Sequence, residues 1–205
     1  MSRFSCFFSL LYTVDPYGSA TPFIDSAIQA IKSGGLLCVT CTDMTVLASA
    51  NFPEVCYAKY GGIPLRARYN HEMALRILLL SLSTTASKYK KYIVPWLSMS
   101  VDFYIRVFIR VFEQPSEVKR SLLKTAYVLQ SSQTSSFYLQ PVGVTRNNNF
   151  YGAPFTSPSA CQETNGRLII GGKKYIYGKV NLIKKYNIHF TLSLLFYYLE
   201  LFLVS

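Results

Sequence analysis

Four consecutive residues, Asp15-Pro16-Tyr17-Gly18, are the set in this sequence whose types and spacing best suit chemistry. They follow an apolar run, Phe7 to Val14, that is short enough to be one buried strand. They precede Ser19 to Ile31, which reads as a helix, with apolar residues at Phe23, Ala27, Ile28 and Ile31. An acid, a proline, an aromatic and a glycine after a parallel strand sit where open α/β sheets bind ligands. The chemistry that wants this set is transfer of a methyl group to an exocyclic amino group of a base. Such a nitrogen is a poor nucleophile because its lone pair is delocalised into the ring. The Asp15 carboxylate or a neighbouring backbone carbonyl would accept its N–H and turn the lone pair outward. Pro16 fixes the backbone, and Tyr17 offers a face for stacking, worth about 1–3 kcal/mol per base. The competing reading is a plain strand-to-helix turn with Asp and Pro in their usual roles.

The elements that must position this turn follow from the local pattern. Thr21-Pro22 marks a helix start and Gly34-Gly35 its stop. Leu36 to Thr42 is a β-rich run with the composition of a strand buried on both faces. Strand, helix and strand at this spacing make a parallel β-α-β unit. Asp43 to Ala50 reads as a turn and short helix, with Asp43 either facing the same cleft as Asp15 or capping that helix.

Half of the 205 residues are hydrophobic and 15% are charged, so a packed core is available and general disorder is excluded. The net charge of +11 points to an anionic partner or to a solvated basic face. Twelve basic and four acidic residues lie from Lys59 to Lys124, so most of the excess is there. Within that region Tyr57 to Tyr69 reads as a glycine-proline loop with basic and aromatic residues interleaved. That pattern suits unpaired nucleotides, and it makes Lys59, Tyr60, Arg66 and Arg68 candidate RNA contacts. Asn70 to Leu82 reads as a helix. His71 at its start either touches RNA or is a satisfied structural histidine. Glu72 and Arg76 make an i,i+4 pair, and no second histidine completes a zinc-protease motif.

The five cysteines, Cys6, Cys38, Cys41, Cys56 and Cys161, form no disulfide framework and fit a reducing compartment. Cys38 and Cys41 are a C-x-x-C inside a strand, where positions three apart face opposite ways, so they read as structural cysteines. Ser83 to Lys91 is polar and basic and reads as a domain boundary. Leu97 to Phe112 alternates as one long strand, with Arg106 and Arg110 on its mixed face. A helix from Gln114 to about Leu123 and a strand from Thr125 to Leu129 then suggest a small α+β domain of split β-α-β layout. Asn147 to Ser159 reads as loop, and Gly171 to Lys174 as a turn. Ile188 to Val204 is apolar but slightly shorter than the roughly 20 residues of a membrane span. It reads as a buried helix, a tail anchor, or sequence that does not belong to the fold, and no membrane association is expected.

Longer stretches carry a resemblance. Asp15 to Ala20, Gly35 to Met44, Pro53 to Gly62, Pro64-Leu65-Arg66, His71 to Leu78 and Val101 to Phe108 together resemble the tRNA (guanine-26-N2)-dimethyltransferase family. The resemblance covers residues 15 to 143 and, more loosely, reaches Lys173. It implies methylation of a tRNA guanine N2 with S-adenosyl-L-methionine as donor. The implied fold is α/β: the C-terminal half of a Rossmann-like methyltransferase domain over 15–86, then a small α+β domain over 87–187. Residues 1–14 are left as a first strand or unrelated leader, and 188–205 as an unassigned apolar tail. Asp15 would be the catalytic acceptor, with Pro16, Tyr17 and Gly18 shaping the guanine pocket. The partner would be tRNA, and the location intracellular, in nucleus, mitochondrion or cytoplasm. Two departures stand out. The family's glycine-containing donor motif precedes the acid-proline turn, and only fourteen residues do so here, so the chain is expected to be a truncated member lacking most of the donor site. Eukaryotic members carry two C-x-x-C pairs, and the matching places here read Ser131-Ser132-Gln133-Thr134 and Cys161-Gln162-Glu163-Thr164. No metal is therefore expected. The alternative function is a tRNA-binding fragment without catalysis.

Overall fold

The strand Gly35–Cys41 is buried at every position, and the first sheet is built around it. A computed structural model describes residues 11–176 of the chain and the backbone of 182–184. Strand β1 (Leu11–Val14) pairs in parallel with β2 (Gly35–Cys41), Leu11 opposite Leu36 and Val14 opposite Val39. The expected strand residues 7–10 lie outside the described part. Helix α1 (Thr21–Ala30) joins the two strands and buries Ile24, Ala27 and Ile28. It opens on a proline in its first turn, whose missing N–H costs nothing there. The chain then turns back through Gly34 at φ +84. The β-α-β unit expected from the spacing is present.

After β2 come α2 (Met44–Leu47), α3 (Pro53–Tyr60) and α4 (Asn70–Lys88). Strands β3 (Lys91–Val101) and β4 (Tyr104–Glu113) follow as an antiparallel pair. β4 lies antiparallel beside β2, Thr40 opposite Arg106. A short helix α5 (Pro115–Val118) and a 3-10 turn over Lys119–Lys124 lead to β5 (Thr125–Ser131) and β6 (Phe137–Pro141). Then come β7 (Gly143–Arg146), β8 (Asn149–Gly152), β9 (Leu168–Tyr175) and β10 (Leu182–Lys184). The first sheet has the order β1-β2-β4-β3-β10, the second β6-β5-β9, and β7 with β8 forms a hairpin. The main core lies between α1, α4 and the first sheet, where Leu75, Ile77, Leu78, Leu79, Ile105, Val107 and Ile109 are fully buried.

Several expectations are corrected. The boundary placed between 86 and 87 falls inside α4, and the strands beyond it pair in the same sheet as β1 and β2. The serines and threonines that looked like a linker are helical: Ser83 and Ala86 are buried, and the Ser87 hydroxyl donates to the Ser83 carbonyl. The single strand expected over 97–112 is a hairpin, with Val101 paired to Tyr104 across Asp102 and Phe103. Asp102 takes φ +39, and Phe103 is exposed at the tip. The alternation holds from Ile105 to Val111, where Ile105, Val107, Ile109 and Val111 are buried and Arg106 and Arg110 are half-buried. On β3 the buried side switches from Ile93 to Ser98 and Ser100 because the register shifts between Pro95 and Leu97. A bulge there accommodates a proline that has no N–H to give the ladder.

Three loop assignments also change. Tyr57 to Tyr60 are the last turn of α3, closed by Gly61 at φ +72. Residues 147–159 are not all loop: Asn147 and Asn148, both at positive φ, form the tight turn of the β7–β8 hairpin. Gly171 to Lys174 lie within β9, where the missing side chains let another segment approach. A Cβ on Gly172 would sit 2.4 Å from the Ile63 backbone nitrogen. The second sheet contains only antiparallel pairs and the split β-α-β layout is not formed. Arg76 ties it to α4 by donating to the Tyr175 carbonyl at 3.0 Å while pairing with Glu72. Residues 188–205 lie outside the described part. Among the described residues no helix is long and apolar enough to cross a membrane.

Candidate functional site

The acid-proline turn leaves the carboxyl end of β1 and is fixed on its neighbour strand. Gly18 takes φ +93, a conformation that favours glycine. Its N–H donates to Thr42 Oγ1 at 2.6 Å, and its carbonyl accepts from the Thr42 N–H at 2.9 Å. The residue after β2 therefore sets the geometry of the residue that ends the turn. Pro16 is half-buried, Tyr17 is fully exposed with its ring face free, and the Asp15 side chain is 47% exposed.

Asp15 is held by a residue that sequence reasoning did not assign to the site. Arg106 Nη2 donates to Asp15 Oδ2 at 2.6 Å, and Arg106 Nε donates to Thr40 Oγ1 at 2.7 Å. The Arg106 guanidinium also lies 5.5 Å from the Tyr104 ring centre. The available signal was the pair of arginines on one face of a β-rich run. What could not be read was the antiparallel register that sets Arg106 opposite Thr40, one strand from Asp15.

A second network lies under the turn. The Tyr60 hydroxyl is 2.7 Å from Ser19 Oγ and donates to Asp43 at 2.9 Å. Asp43 occupies the position before α2 but makes no side-chain cap bond, so the capping reading fails. Its carboxylate instead meets Tyr60, with Lys59 Nζ 3.8 Å away. Tyr60 is 2% exposed, and burial pushes its hydroxyl pKa strongly upward. Its ring is thus unavailable to stack on a base, which corrects the RNA-contact reading of this residue.

The other candidate RNA contacts separate by exposure. Lys59, Arg66 and Arg68 are exposed. His71 is half-buried with Nδ1 2.8 Å from Ser100 Oγ. Cys38 and Cys41 face opposite sides of β2, Cys38 packing with Leu36 and Phe108 and Cys41 in the main core. Burial pushes both thiols up to about 11, the form of inert core cysteines. Cys161 differs: hydrogen bonds from Ser131 and Thr164 hold its thiol down to about 6. Among the described residues no group of three or more His, Cys, Asp or Glu side chains could hold a metal ion.

The donor implied by the resemblance needs a pocket for an adenosine and a methionine. Asp15 is a surface carboxylate, and the turn beside it is not a glycine-rich phosphate or ribose cradle. Cavities open around Tyr127 and Phe155, around Phe137 and Tyr138, and around Val144 and Arg146, and none of these three includes Asp15.

Fold and site define a mixed α/β protein with an acid, held by an arginine, at the end of a parallel edge strand. The model of the N2,N2-dimethylguanosine tRNA methyltransferase family matches residues 1–184, and the chain belongs to that family. It is 52% identical over 167 residues to tRNA (guanine(26)-N(2))-dimethyltransferase 2 of Arabidopsis thaliana, covering 80% of this chain and 28% of that protein. It is 45% identical over 151 residues to the mitochondrial tRNA (guanine(26)-N(2))-dimethyltransferase of Saccharomyces cerevisiae, covering 73% and 26%. Among solved structures, Trm1 from Pyrococcus horikoshii in complex with S-adenosyl-L-methionine superposes with a TM-score of 0.62 at 30% identity, covering 75% of this chain and 41% of that one. The chain thus spans between a quarter and a third of the two curated relatives.

Proposed function

We propose that this chain carries the base-recognising part of a tRNA guanine-N2 dimethyltransferase, with Asp15 as the catalytic acceptor. The observation that carries the reading is Asp15 itself, placed at the carboxyl end of β1 and held by Arg106 at 2.6 Å. Asp15 accepts one N–H of the guanine amino group. This bond withdraws the nitrogen lone pair from ring conjugation and aims it outward, and the proton lost from nitrogen leaves through the same carboxylate. Arg106 fixes the carboxylate orientation, Pro16 the turn, and Tyr17 presents its ring to the base. Lys59, Arg66 and Arg68 supply cationic contacts to tRNA phosphates.

The methyl group is supplied by S-adenosyl-L-methionine, the compound bound in the archaeal neighbour. No residue of this chain is assigned to hold it. The division into part of a Rossmann-like catalytic domain and a second unit is drawn after β4, since β3 and β4 pair in the sheet of β1 and β2. Work on tRNA places the protein inside the cell, as with the mitochondrial yeast relative.

The test is a chimera in which this chain replaces the matching segment of the Arabidopsis relative. Asp15→Ala there should lower methyl incorporation into a tRNA transcript by about 10²–10³-fold. Unchanged incorporation would remove Asp15 from the mechanism.

A further inference from the structure

The segment between α3 and α4 bears Arg66 and Arg68, and side chains of the second sheet hold its backbone. Gln130, buried on β5, does this with both ends of its amide. Its Nε2 donates to the Arg66 carbonyl at 3.0 Å, and its Oε1 accepts from the Tyr69 hydroxyl at 3.0 Å. The Tyr69 ring packs on Phe137 of β6, with centroids 5.1 Å apart. Leu65, just before these anchors, is buried against Gly171, while Arg66 and Arg68 are exposed. At the other end of the segment Lys174 Nζ donates to the Ile63 carbonyl at 2.7 Å. A surface loop ordinarily leaves its carbonyls to water, and two buried polar side chains spent on this one fix where its arginines stand.

We propose that Gln130 is a positioning residue for nucleic-acid binding: by bridging the Arg66 carbonyl and the Tyr69 hydroxyl it holds Arg66 in place for a phosphate. The inference rests on the tRNA reading above and deepens it by assigning the second sheet a part in substrate engagement. Arginines on a fixed loop surrender less conformational entropy on binding than arginines on a mobile one.

The experiment measures binding of the 205-residue chain to a tRNA transcript by fluorescence anisotropy over a potassium chloride titration. Amide hydrogen exchange of Leu65 and Asn70 is followed in parallel. Leu65 donates its N–H to Met73 Sδ and Asn70 to the Ala67 carbonyl, so both report loop order. Arg66→Ala should reduce the slope of log K against log salt by about one. Gln130→Leu should reduce it similarly and weaken binding about tenfold, the loss of one charge-assisted contact. The double variant should lose no more than the more affected of the two singles, because both act through one contact. Tyr69→Phe, which removes only the hydroxyl, should shift binding in the same direction. Exchange at Leu65 and Asn70 should quicken in Gln130→Leu while the thermal midpoint stays near that of the parent. Unchanged exchange in Gln130→Leu, or a salt slope that falls additively with Arg66→Ala, overturns the proposal. A parent chain whose exchange responds but which shows no salt-dependent tRNA binding overturns the tRNA reading and the role of the loop with it.

Discussion

The guanidinium of Arg106 reaches past β2 to Asp15, with Nη2 2.6 Å from the carboxylate and Nε 2.7 Å from Thr40 Oγ1. The two residues are 91 positions apart in sequence, and three strands of one sheet bring them together. The Arg106 side chain is 14% exposed while Asp15 is 47% exposed, so the cation is the fixed partner and the acid the free one. A planar fork with two donors in fixed relation suits this task, and a lysine ammonium cannot span both acceptors. Arg106→Lys in the chimera should therefore lower methyl transfer by about 10²-fold, the cost of a carboxylate misplaced by about 1 Å. Stability should change by less than about 1 kcal/mol, since one partner is half in water. Incorporation of labelled methyl into tRNA, beside a urea titration, checks both. Full activity in the lysine variant would show that Arg106 does not orient Asp15.

Gly18 tests the turn itself. No atom lies within 4 Å of where its Cβ would be, so alanine meets no clash, but φ +93 is a conformation that side chains resist. Gly18→Ala should cost about 1–3 kcal/mol or force the turn to another φ that breaks the bond to Thr42. Either way transfer in the chimera should fall more steeply than stability does. Equal transfer by the alanine variant and its parent would argue that the turn geometry is not used.

Tyr60 separates a structural role from an RNA contact. Tyr60→Phe keeps the ring and removes the hydroxyl that joins Ser19 to Asp43. The half-buried Asp43 carboxylate then loses its Tyr60 donor, at a cost of about 1 kcal/mol. Affinity for tRNA at fixed salt should be unchanged, since the ring faces the core. Reduced affinity with an unchanged urea midpoint would restore the stacking reading.

Much of this arrangement was legible along the chain. The β-α-β unit, the buried β2 and the opposed faces of Cys38 and Cys41 all follow from local periodicity, which is a property of neighbouring residues. The errors arose where pairing across the chain decided the outcome. The bulge at Pro95 shifts the buried face within β3, and the turn at Asp102 divides into β3 and β4 what reads as one alternating run. Serines in α4 read as a linker because their hydroxyls look solvated until Ser87 is seen to bond back to Ser83. Arg106 was visible as a charge on a mixed strand face, yet its partner depended on a register that no local pattern encodes. Tyr60 was misread for the opposite reason: a favourable composition, basic and aromatic residues near glycines, concealed the helix that turns its ring inward.

Lys174 gives the fold a pH dependence of definite sign. The residue is 1% exposed, and its Nζ donates to the Ile63 carbonyl. Burial lowers its pKa from 10.5 to about 7. Between those values the unfolded chain carries a proton here that the folded chain has released. The contribution to stability therefore rises with pH across that window, is complete above it, and is lost as pH falls through about 7. The neutral amine still has N–H groups, so the bond to Ile63 persists at the higher pH. The slope from one such group is at most about 1.4 kcal/mol per pH unit. Urea midpoints between pH 7 and 8.5 are informative because the buried thiols of Cys38, Cys41 and Cys56, pushed up to about 11, act with opposite sign only above that range. Cys161, held down to about 6, acts with the same sign as Lys174, so the comparison must be with a variant. Lys174→Met should show a shallower rise with pH than its parent, so the parent should gain stability relative to the variant between pH 7 and pH 8.5. Parallel curves would mean that Lys174 stays protonated in the folded chain.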